Sequence, residues 1–128
     1  MKKLLLTIAL ILIATNVFAG WELYGTYKGH QLFYDKSSIK RSGDKVRVWN
    51  YMNFNLQNVT DSTLLEVASM RGLTEIDCIN ETYKDLTLDA YTEPHLKGKL
   101  KTLDSDNKIE YIVPNSTFEK LMKLACKK

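Results

Sequence analysis

Histidine and cysteine are scarce in this 128-residue chain, two of each, and the scarcity removes whole classes of chemistry. His30 and His95 stand alone, and with the distant Cys78 and Cys126 they do not supply a zinc site at the usual spacing. Serines and aspartates are plentiful, yet no nucleophile-elbow motif accompanies them, so no catalytic residue is assigned. A glycine-rich phosphate loop is missing, as are repeats, low-complexity tracts and interdomain linkers. In Asp104-Ser105-Asp106-Asn107-Lys108, a lysine stands where a calcium loop needs an oxygen ligand, and that loop's glycine and terminal glutamate are lacking. The segment reads as a polar turn. No metal and no cofactor are expected.

Long apolar runs are also rare, and the one present opens the chain. Lys2 and Lys3 precede Leu4 to Ala14, interrupted only by Thr7, and Val17-Phe18-Ala19 offers small residues where a signal peptidase reads. This is the pattern of a bacterial-type secretory signal over residues 1–19, leaving one domain over 20–128. No second run approaches the roughly 20 residues of a spanning helix, so no membrane span is expected. Loss of residues 1–19 removes two lysines and no acid, and the formal charge falls from +3 to +1. A nearly neutral chain lacks the basic footprint of a nucleic-acid binder. In an oxidising compartment Cys78 and Cys126 are expected to pair, the competing readings being a free thiol and an intermolecular bridge. Closing that loop is worth roughly 4 kcal/mol on a chain-entropy argument.

The remaining chain reads as strands closed by one helix, an α+β pattern. Trp21–Tyr27 alternates with Trp21, Leu23 and Tyr27 on one face, and His30–Asp35 follows after Lys28-Gly29, a hairpin pattern. Lys45–Phe54 is the strongest strand, with Val46, Val48, Met52 and Phe54 on one face and Arg47, Trp49, Tyr51 and Asn53 on the other. Ala68–Cys78 and Thr82–Tyr91 give two more strands, and a helix is entertained for Ser62–Met70. Gly98–Leu103 and Lys108–Val113 flank a turn and read as a hairpin. Asp85 and Asp89 are expected on one solvent-facing side, and each histidine at an exposed or edge position. At the C-terminal end Ser116 and Glu119 form a capping box, and Phe118, Leu121, Met122 and Ala125 make one apolar stripe with Cys126 a turn beyond. That stripe should lie on the sheet, with the last turn fixed at Cys78. If the helix covers one face, Arg47, Trp49 and Tyr51 make a candidate partner-binding surface on the other. The alternative is a sheet that curls or pairs with a second copy and buries both faces.

Trp21, the run Phe33-Tyr34-Asp35-Lys36-Ser37-Ser38-Ile39-Lys40-Arg41, Val46-Arg47-Val48-Trp49, Asp77-Cys78, Pro114-Asn115-Ser116 and Cys126 occur in an order and spacing that resemble the surface-adhesin protein E family of small exported bacterial proteins. The resemblance implies an antiparallel sheet of about six strands with a C-terminal helix tethered by a disulfide. It further implies a non-enzymatic adhesin that binds host extracellular-matrix and serum proteins such as vitronectin and laminin, with homodimers within its repertoire. The family's namesake is anchored by an acylated cysteine after its signal; here Ala19-Gly20-Trp21 offers none, so a soluble periplasmic or secreted protein is expected. The rival within binding is a periplasmic protein with a bacterial envelope partner, either a hydrolase inhibitor or a stress factor. A small periplasmic enzyme would instead bring His30, His95 and carboxylates into one pocket.

Overall fold

The computed structural model describes residues 20–55 and 67–127. The expected signal at 1–19 and the start of the helix entertained over Ser62–Met70 lie outside these residues; its last residues, Ser69 and Met70, are strand. Eight strands are described: β1 (Trp21–Tyr27), β2 (His30–Asp35), β3 (Lys40–Ser42), β4 (Lys45–Asn53), β5 (Ser69–Asp77), β6 (Thr82–Glu93), β7 (Lys97–Leu103) and β8 (Glu110–Tyr111), followed by helix α1 (Thr117–Ala125). They form one antiparallel sheet, six strands wide, in the order β1-β2-β4-β5-β6-β7, with β3 beside β4 and β8 beside β6.

Two of the long strands share one edge between two successive partners. β2 pairs with Asn50–Asn53 of β4, and β3 with Lys45–Arg47. The gap between them is spanned by a 3₁₀ turn, Lys36–Ser38, where Asp35 Oδ1 accepts the Ser37 N–H at 3.0 Å. Ser38 Oγ then accepts the Trp49 N–H at 2.9 Å, satisfying a β4 donor that neither partner strand reaches. β7 and β8 share the edge of β6 in the same way. The expected β7–β8 hairpin is therefore not formed: both strands pair with β6, at Leu88–Glu93 and at Thr82–Tyr83 respectively. Between them Ser105 donates its hydroxyl to the Asp85 carbonyl.

Bulges reset the side-chain parity of three strands, β1, β6 and, between Lys97 and Leu100, β7. In β1 the register slips at Tyr24, so Tyr27 does not share a face with Trp21 and Leu23. The buried residue is Tyr24 (6% exposed), whereas Leu23 and Tyr27 are 54% and 52% exposed. In β6 the slip falls between Asp85 and Thr87, and it separates the two aspartates expected on one face. Asp89 pairs with Arg71 on one side of the sheet, while Asp85 turns to the helix side and accepts from Thr74 Oγ1 at 2.8 Å. Thr74 Oγ1 in turn accepts from Asn50 Nδ2 at 2.9 Å.

Burial raises the Asp85 carboxyl above its ordinary value; the Thr74 bond opposes that, and the nearby Asp106 and Glu110 charges add to it. An acid whose folded value exceeds its unfolded value costs stability as pH rises between the two. Asp85→Asn keeps the acceptor for Thr74 and removes the charge. It should raise Tm by a few degrees at neutral pH, a small gain because the group is partly solvated. The gain should fade as pH drops through the Asp85 titration and vanish below about pH 4. A calorimetric pH series showing an equal gain at pH 3 and pH 7 would contradict this.

α1 forms because its ends are satisfied and one stripe is apolar. Ser116 Oγ accepts the Glu119 N–H at 3.2 Å as the capping box requires, and Glu119 pairs with Lys123 one turn later at 3.2 Å. Leu121, Met122 and Ala125 are buried against Tyr24, Leu32, Tyr34, Val46, Val48 and Ile76. Phe118 stacks on Tyr83, ring centroids 4.0 Å apart. At the far end Cys126 is disulfide-bonded to Cys78, and Arg41 Nη2 donates to the Cys126 carbonyl at 2.8 Å. The pairing expected from the isolation of the two cysteines is present.

Candidate functional site

With α1 on one side, the alternation of β4 sends Arg47, Trp49, Tyr51 and Asn53 to the other. Cross-strand register adds Phe33 from β2, Trp21 from β1, Arg71 from β5 and Asp89 and Tyr91 from β6. None of the described helices covers this face, and its aromatic rings cover one another instead.

Tyr51 lies at the centre and is only 6% exposed. Phe33 stacks on it at 4.6 Å, and Trp21 meets it edge-on at 4.7 Å. His95, from the β6–β7 turn, closes the third side, its Nδ1 3.1 Å from both the Tyr51 hydroxyl and Asn53 Nδ2. Burial raises the Tyr51 hydroxyl, which stays neutral at physiological pH. The rings bound a hollow of about 430 Å³ lined by Trp21, Phe33, Tyr51, His95, Leu96 and Lys97.

The lip of this hollow is held in an uncommon conformation. His95 and Leu96 are consecutive non-glycine residues in the left-handed region, φ 57° and 61°. Such geometry costs on the order of 1 kcal/mol per residue and persists only where surroundings enforce it. Here the His95 N–H donates to Asn53 Oδ1 at 2.8 Å, and the Leu96 N–H to Ser69 Oγ at 3.0 Å. Ser69 is fully buried and donates to the Glu93 carbonyl at 2.7 Å. Gly98 follows at φ 84°, where an added Cβ would overlap Thr92 Oγ1, so the turn admits no larger residue there without rearrangement.

Trp49 lies beyond the hollow, half-buried beneath the Arg71 guanidinium at 4.9 Å from its ring. Arg71 also lies 5.8 Å from the Tyr91 ring and pairs with Asp89 at 2.8 Å. Arg47 is exposed and pairs with Glu75 at 3.1 Å; Lys84 and Lys45 approach the same carboxylate at 3.6 and 4.0 Å. Three cations around one carboxylate leave that end of the face electropositive.

The three candidate residues thus share a face but differ in setting: Arg47 presents its charge, Trp49 presents part of a ring, and Tyr51 is a floor. Trp21, Phe33 and His95 were not among the residues expected at this surface. Trp21 and Phe33 were legible by strand parity, but the position of His95 depends on a turn folding back onto β4. The histidines do not meet. His30 is buried on the helix side, its Nδ1 accepting the Asn55 N–H at 2.7 Å, which corrects the expectation of an exposed or edge position for it.

The sequence profile of surface-adhesin protein E matches residues 21–127. The chain belongs to the surface-adhesin protein E family. Solved structures of Haemophilus influenzae protein E share its fold. One crystal form superposes with a TM-score of 0.65 at 17% identity, covering 88% of this chain and 91% of that one. Protein E from a non-typeable strain gives 0.59 at 16%, covering 88% and 78%. No curated protein matches the sequence. Several residues of the motifs read in the sequence have visible structural work: Asp35 to Ser38 bridge the two partners of β4, Ser116 caps α1, and Cys78 and Cys126 fasten it. Among the described residues no helix of this family member is long and apolar enough to cross a membrane.

Proposed function

We propose that this protein E family member is a non-enzymatic exported binding protein, periplasmic or secreted. It engages a host matrix or serum protein through the sheet face opposite α1. Arg47 and Trp49 meet the partner directly, and Tyr51 supports the rings around it. The observation that carries the reading is the concentration of aromatic side chains on the one sheet face no described helix covers, with a positively charged flank. Aromatic residues and arginine dominate binding energy at protein interfaces.

The test is capture of immobilised vitronectin and laminin by residues 20–128, alongside an extract of the bacterial envelope. Trp49→Ala and Arg47→Glu should each weaken capture at least about tenfold, on the scale of an interface hot spot. Both should still unfold in one cooperative transition, at a Tm lowered by several degrees, because Trp49→Ala loses its packing under Arg71 and Arg47→Glu faces Glu75. Capture of a host protein that survives both substitutions would remove the open face from the interaction. Capture from the envelope extract alone would favour the bacterial-partner alternative.

A further inference from the structure

The helix side of the sheet is not covered evenly. α1 packs on β1 and β4, and beside its first turn the sheet face carries two adjoining hollows. The first, about 220 Å³, is apolar: Met52, Phe54, Met70 and Leu88 are half-buried around it, with Phe118 of α1 as one wall. Gly72 leaves part of its floor without a side chain, and a Cβ there would stand 3.2 Å from Leu88 Cδ2. The second, about 240 Å³, is bordered by the segment joining β7 to β8 and holds Asp85, Asp104, Asp106 and Glu110 against a single cation, Lys108. Among the described residues none of these five side chains forms an ion pair. Asp85 and Leu88 line both hollows, which makes them one groove with an apolar end and an acidic end. Burial and the charges of Asp106 and Glu110 already oppose ionisation of Asp85, and a cation beside it would relieve that repulsion. Asp85 and Leu88 pair with Thr74 and Gly72, two residues apart in β5, so the two ends stand about 7 Å from one another.

We propose that this groove binds an extended polypeptide segment, whose apolar side chain fills the hollow at Met52, Met70 and Leu88 and whose lysine or arginine two residues away reaches Asp85 and the carboxylates beside it. Charge and spacing choose this occupant. The apolar walls reward a buried side chain, and the negative excess at the other end selects a cation and repels a carboxylate. Alternate side chains of an extended chain point the same way about 7 Å apart, so one segment meets both ends. The groove lies across the sheet from Arg47, Trp49 and Tyr51 and stands independently of the open-face reading.

The probe is acetyl-Phe-Gly-Lys-amide, compared with the same peptide carrying acetyl-lysine and with acetyl-Phe-Gly-Glu-amide. Each is titrated into residues 20–128 labelled with ¹³C at the methionine methyls and ¹⁵N at the amides. The lysine peptide should shift the Met52 and Met70 methyls together with the Asp85 and Ser105 amides, saturably, and bind about tenfold more tightly than the acetyl-lysine peptide. The glutamate peptide should bind more weakly still. Asp85→Asn keeps the acceptor for Thr74 and should cut the lysine preference to a few-fold. Asp106→Asn, at an exposed position, should lower it in the same direction. Equal affinities for the lysine and acetyl-lysine peptides would overturn the proposal, as would a preference undiminished in both variants. Shifts at the acidic end with both methyls silent would reduce the contact to surface ion pairing and defeat it as well. Hexylamine binding as tightly as the lysine peptide would give the groove to small amines and remove the polypeptide. None of these failures touches the open-face reading, which stands or falls on capture by the Trp49→Ala and Arg47→Glu variants.

Discussion

Replacing both Cys78 and Cys126 by alanine is expected to cost about 4 kcal/mol of unfolding free energy and to lower Tm by roughly 15–20 °C. The bridge joins residues 48 apart and encloses β6, β7, β8 and α1. Most of its effect lies in the unfolded chain, where it removes the entropy of an open loop. The folded state should change little. Leu121 still fills its site, and Arg41 still holds the last carbonyl of the helix end. Guanidinium titrations of oxidised protein and the double variant measure the difference. A loss below about 1 kcal/mol would mean that the unfolded chain is already constrained without the bridge.

Leu121→Ala is expected to cost about 3 kcal/mol, within the range for emptying a large aliphatic site in a packed core. Leu121 is fully buried, as are Val46, Val48 and Ile76 in the same cluster, and close-packed neighbours collapse only partly into such a space. The midpoint of chemical unfolding should fall with an unchanged slope. Capture through the open face should persist, because the sheet separates that face from this core. Combining Leu121→Ala with loss of the bridge gives a sharper test. If α1 stays docked without the disulfide, the two losses add. If α1 lifts off, Leu121→Ala costs much less in the unbridged background.

Much of this was legible in the sequence where the relevant physics is local. The alternation of Lys45–Asn53 separates Val46 and Val48 from Arg47, Trp49 and Tyr51, because strand parity depends only on neighbouring residues. The Ser116–Glu119 box likewise marks the start of α1. Parity failed at the bulges beside Tyr24 and Leu86, since one inserted residue exchanges faces without altering propensity. That is how Asp85 and Asp89 came to be expected together. The β7–β8 hairpin failed for a related reason: a turn-forming composition at Asp104–Asn107 says that the chain bends, not which strand it pairs with next. The hollow was the least legible part. It depends on Asn53 and Ser69 holding His95 and Leu96, contacts that span 42 and 27 residues of sequence.

The lysines of β7 have a consequence for how the protein treats copies of itself. An unpaired strand edge is a template for adding another strand, and identical molecules at high concentration are the commonest candidates. Two β7 strands laid antiparallel about Leu100 set Lys99 of each against Lys101 of the other, and about Lys99 they set Lys97 against Lys101. Like charges directly opposite one another destabilise a strand pair. Pairing of two β7 edges in either register is therefore opposed by charge, which disfavours edge-to-edge growth of the sheet.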